Sequence, residues 1–220
     1  MHGIFKKSGQ FNAFNTKAGI SYIKAVALMG LFTFVFLGTE YLFVNMISVT
    51  VQGNRSVAAQ NYALGISAIG FLPYPLFCRL LKPTVRTIIS VIVAMASIAF
   101  VFLICRHFSY GLTLGLGLFL FLLLGMLGSA AYYKSVCLLE SNKYIARIAG
   151  VSYMLGTVLQ FVNNNFIRTV SAEAAVISVF LSVLVFILIR TDGAVAADHA
   201  ENGNAEATAE RNKSITKIGI

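Results

Sequence analysis

The sequence predicts an all-α, polytopic membrane protein with six transmembrane helices, and three observations carry that prediction. Of its 220 residues, 58% are hydrophobic and only 11% charged, against about a quarter charged in an ordinary soluble domain. Six apolar runs near bilayer-spanning length follow one another along the chain, separated by short polar or basic stretches, and the mean hydropathy is +0.81. Apart from Glu40, every Asp and Glu lies at the edge of such a run or in the C-terminal tail.

The elements follow in order. Residues 1–22 are polar and basic, with Phe5, Phe11 and Phe14 interspersed, and suit a cytoplasmic segment resting at headgroup level. They lack a short apolar core with a small-residue cleavage site, so the first hydrophobic run reads as a retained helix rather than a signal peptide. That first span runs from about Ala25 to Ser48 and places Glu40 about 22 Å along its axis, slightly past the midplane. Gly53, Asn54 and Arg55 form a turn into a second span, about Val57 to Cys78, which Pro73 and Pro75 should kink or end. A basic loop with Arg79, Lys82 and Arg86 leads to the third span, about Thr87 to Cys105.

The fourth span, Gly111 to Tyr133, is the most apolar, and its small residues mark a packing helix: Gly111 and Gly115, then Gly125, Gly128, Ser129, Ala130 and Ala131. Tyr132, Tyr133 and Lys134 read as an aromatic and basic anchor at the inner interface. After a mixed-charge loop from Lys134 to Arg147, the fifth span, about Ile148 to Phe166, is the least hydrophobic. The sixth, about Ala174 to Ile189, is uniformly apolar apart from Ser178 and Ser182. The bundle thus occupies residues 23–190, and residues 191–220, rich in Ala, Glu, Asp, Asn and Thr, read as a disordered cytoplasmic tail.

The net charge of +9 reflects orientation rather than nucleic-acid binding, because the basic residues are spread between hydrophobic runs. With the N-terminus inside, fourteen Lys and Arg fall on the inner side and three, Arg55, Arg106 and Arg168, on the outer, which predicts both termini in the cytoplasm. Cys78, Cys105 and Cys137 have neither CxxC nor metal-ligand spacing and read as reduced packing residues. His107 stands without a second histidine or acid at ligand spacing, so no metal is expected. No phosphate loop, Ser/His/Asp set or carboxylate pair appears, so no enzyme chemistry and no cofactor are expected.

The candidate functional residues are the polar groups within the spans. A carboxyl group in a bilayer costs several kcal/mol unless it faces a bundle interior or watery cavity, which makes Glu40 the first candidate. Tyr153, Thr157, Gln160 and Asn164 recur at i, i+4, i+7 and i+11 on one face of the fifth span. Glu40, Asn45, Gln60, Asn61, Gln160, Asn163, Asn164 and Arg168 fall in the outer half of the membrane or at its rim, where the first, second and fifth helices could share them. Interhelical hydrogen bonding that only locks the bundle accounts for the same amides, and the residues do not separate the two readings.

The six spans, the short outer loops, the basic second-to-third loop and the acid in the first helix together resemble the N-terminal six-helix half of a major facilitator superfamily (MFS) transporter. The likeness covers about Ala25 to Arg190. It draws on Gly125 to Tyr133 and on Gly150 to Asn165, which is similar to a cavity-lining fifth helix of that family. The second-to-third loop departs from the family pattern: Pro75 to Lys82 keeps basic charge but lacks the family's Asp and both its glycines. The fourth span has no intramembrane arginine and the fifth no Gly-Pro signature. The resemblance implies an MFS-like half bundle in the cell membrane, moving a small-molecule solute by alternating access, with Glu40 facing substrate or protons. It also implies a second six-helix unit as partner, a homodimer or a separate half. The alternatives are a ligand-sensing membrane domain of a LuxR-type regulator and an inactive truncated remnant.

Overall fold

The computed structural model describes residues 8–51, 53–106, 108–139 and 144–191, with the side chains of the first helix described from Gly19 onward. Among the described residues there is no strand, and seven helices account for nearly all of them: α1 Ser8–Thr50, α2 Asn54–Gly70, α3 Pro73–Leu80, α4 Pro83–Ile104, α5 Tyr110–Cys137, α6 Ile145–Phe166 and α7 Val170–Thr191. Taking α2 and α3 as one path, six helical segments are long and apolar enough to cross a membrane: Gly19–Thr50, Asn54–Leu80, Pro83–Ile104, Tyr110–Cys137, Ile145–Phe166 and Val170–Thr191. The tail from residue 192, the loop residues 140–143, His107 and the first seven residues, with the expectations attached to them, lie outside the described residues.

The breaks fall where backbone chemistry demands them. Gly53, at φ 67°, takes the left-handed turn between α1 and α2, a conformation that glycine adopts without steric cost. Pro73 has no N–H to continue α2. The Phe71 and Leu72 amides close that helix on the Ala68 and Ile69 carbonyls, and Pro73 begins α3 at a position where a missing donor costs nothing. Pro83 starts α4 in the same way.

Short connections make successive spans antiparallel, and side-chain contacts fix which neighbours touch. α1 lies at the centre, with Leu28, Met29, Phe34, Val35, Leu42, Phe43 and Ile47 almost wholly buried. It runs parallel to α6, the contacts stepping from Val26 with Ser152, through Thr33 with Gly156, to Gly38 with Gln160. It runs antiparallel to α7, through Phe34 on Phe180 and Gly38 against Ile177. α2 and α3 lie parallel to α5. Gly70 and Gly125 meet with no room for a Cβ on either, and the Ser129 hydroxyl donates to the Phe71 carbonyl at 2.7 Å one turn further on. α4 packs antiparallel on α5, where Phe100 stacks on Phe119.

α5 is the packing helix its small residues suggest, touching α1, α2, α3 and α4. The glycines that do this are Gly117 against Phe43, Gly125 against Gly70, and Gly128 against Phe32 and Phe71; Gly111 and Gly115 face open space. The Lys134 anchor needs correction. Lys134 is 4% exposed, donates to the Leu188 carbonyl of α7 at 3.0 Å and lies 6.0 Å from the Tyr74 ring centroid, so it ties α5 to the end of α7 rather than to headgroups. The sixth span also begins earlier than Ala174, because α7 starts at Val170 and takes Glu173 inside it. The three cysteines are free thiols; Cys78 and Cys105 are half-buried, whereas Cys137 is exposed.

Candidate functional site

The contacts that centre α1 leave one of its stripes uncovered. Leu37, Glu40, Tyr41 and Val44, at i, i+3, i+4 and i+7, form the floor of an open cleft of about 410 Å³. Gln60 of α2 forms one wall, and Thr157, Gln160, Phe161 and Asn164 of α6 form the other. α2 and α6 flank this gap without packing on each other, so α1 and its acid are reached between them.

The polar groups form two short hydrogen-bonded pairs. The Gln60 amide donates from Nε2 to Glu40 Oε1 at 2.7 Å, across the α1–α2 contact, which fixes the half-buried carboxyl group toward the cleft. On the opposite wall Gln160 Nε2 donates to Asn164 Oδ1 at 2.7 Å, one turn along α6. Gln160 passes beside Gly38, where an added Cβ would stand 2.9 Å from its Oε1; the glycine lets an amide into the α1–α6 contact. The Thr157 hydroxyl is spent on the Tyr153 carbonyl at 2.9 Å. A carboxyl group with amides on both walls, bordered by Leu37, Val44 and Phe161, suits a small polar or cationic solute, or a proton.

Five of the eight sequence candidates meet here: Glu40, Gln60, Thr157, Gln160 and Asn164. Three do not line the cleft. Asn61 is exposed, turned about 100° around α2 from Gln60. Tyr153 is 61% exposed and lies about two turns short of the floor, because the parallel α1–α6 register pairs its level with Gly30. Asn45 follows Val44 by one position and is half-buried outside the cleft lining. Asn163, placed at the outer rim by sequence, is 5% exposed and faces the packed side of α6. The residue that sequence reasoning passed over is Glu173. Treated as a boundary acid, it is 7% exposed with Oε1 buried and unpartnered. Its spacing of four from Ile177, on the buried face of α7, is a signal that could have found it.

Among the described residues, fold and site together define an all-helical arrangement with six helical segments long and apolar enough to cross a membrane and an acid-bearing cleft beside the central helix. No family model, curated protein or solved structure matches the chain.

Proposed function

We propose that this chain is an MFS-like half transporter, moving a small polar or cationic solute across the cell membrane through the cleft at Glu40. The observation that carries the reading is the Glu40–Gln60 pair in a 410 Å³ cleft within the spans, since an acid there is costly unless it serves a solute, a proton or a partner. The packing order supports the layout. Numbering the spans one to six, the first packs on the fifth as the fourth packs on the second, and the first touches the sixth as the fourth touches the third. That is the pattern of two inverted three-helix repeats, the internal symmetry of an MFS half. The fourteen-to-three distribution of Lys and Arg supports both termini in the cytoplasm. The cleft opens sideways between α2 and α6, so a second six-helix unit would complete the solute path from that side.

Glu40→Gln tests the role of the acid. The substituted amide keeps an oxygen to accept from Gln60, so the bundle should remain folded while the charge is lost. In proteoliposomes preloaded with a panel of polar and cationic solutes, the wild type should show counterflow of at least one. Glu40→Gln should abolish its pH-gradient dependence with an unchanged thermal melt. Equal uptake by both proteins would remove the role given to Glu40, and saturable binding without counterflow would make the bundle a sensor instead.

A further inference from the structure

A second acid lies behind the cleft, on the other side of the α1–α6 contact. Glu173 stands in the first turn of α7, and its Oε1 is buried with no hydrogen-bond partner. Asn163 of α6 is equally enclosed, with neither amide atom partnered. Residues 167–169 join the two antiparallel helices, so Asn163 and Glu173, each five positions from Arg168, stand level with each other. One turn deeper, Gln160 of α6 and Ile177 of α7 meet at Gly38 of α1. Gln160 itself joins the two sides. Its Nε2 is bonded to Asn164 in the cleft, while its Oε1 is buried and unpartnered where α1, α6 and α7 come together.

We propose that Glu173 is a proton-binding site distinct from Glu40, and that Asn163 and Gln160 connect it through the α1–α6–α7 seam to the cleft. A buried carboxyl group without an ion pair or donor favours its neutral form. On α6 and α1 the facing polar groups are amides and, across the seam, Glu40. Beside the end of α4 the titratable group near Glu173 is Cys105, whose thiol donates to the Val101 carbonyl at 3.2 Å. Buried amide atoms without protein partners are satisfied by bridging water, and Gln160 Oε1, both amide atoms of Asn163 and Glu173 Oε1 are such atoms, so that a file of water along them would join the cleft to the acid. Along such a file the Glu173 O–H bond breaks, an O–H bond forms on Glu40, and one negative charge passes from Glu40 to Glu173.

Infrared spectra of the full chain in lipid nanodiscs test this directly. At pH 7 the wild type should show the C=O band of a protonated carboxyl group, Glu173→Gln should lose it, and Glu40→Gln should keep it. A band absent from Glu40→Gln and from the wild type would overturn the site even if Glu173→Gln failed to fold. On transfer to D₂O, Asn163→Leu should slow the isotope shift of that band at least tenfold, and an unchanged rate would remove the link to the cleft. Failure of the transport reading would leave the band where it is, so the two proposals fail separately.

Discussion

The two long sides of α1 meet opposite surroundings. Toward α5, Phe32, Phe36 and Phe43 lie against an aromatic and glycine surface: Phe36 and Phe43 meet Phe121 at 5.5 and 5.6 Å between ring centroids, and Phe43 and Phe32 fill the places left by Gly117 and Gly128. Toward the α2–α6 gap, Leu37, Glu40, Tyr41 and Val44 have no helix over them. In lipid, helices are held by close approach rather than by exclusion of water, so an absent Cβ on the partner decides which side of a helix becomes dry. The side without such a partner is left for polar groups.

The dry side should be the more sensitive. Phe43→Ala should cost about 3–5 kcal/mol, the range for emptying a buried aromatic site, seen as a lower melting temperature by far-UV circular dichroism in detergent. Gly117→Leu places a side chain where Phe43 stands and should cost about 1–3 kcal/mol in the same measurement. On the cleft side, Gln60→Leu removes the donor to Glu40 and should cost about 1–2 kcal/mol. A loss from Gln60→Leu larger than that from Phe43→Ala would reverse the comparison and make the polar pair the main structural tie. Gly115→Ala, on the same helix as Gly117 but facing open space, should cost nothing and raise stability by up to about 1 kcal/mol, the helix preference for Ala over Gly. A melt lowered as far as that of Gly117→Leu would mean that another molecule covers this face.

Sequence by itself determined the elements. Apolar length set the six spans, Gly53 and Pro73 set ends of the second within a few residues, and the 3.6-residue period placed Thr157, Gln160 and Asn164 on one stripe of α6. It also singled out Glu40, because an acid amid apolar residues is conspicuous without any knowledge of its neighbours. Tertiary structure alone decided how each helix is rotated against the next. That rotation took Asn61 and Tyr153 away from the cleft, chose Gly117 over Gly115 for contact, and buried Lys134 against the Leu188 carbonyl and Glu173 within α7. The physical reason is that periodicity along a helix gives the angle between its own residues, whereas the direction in which a stripe faces depends on which backbone can approach it, a property of two helices together.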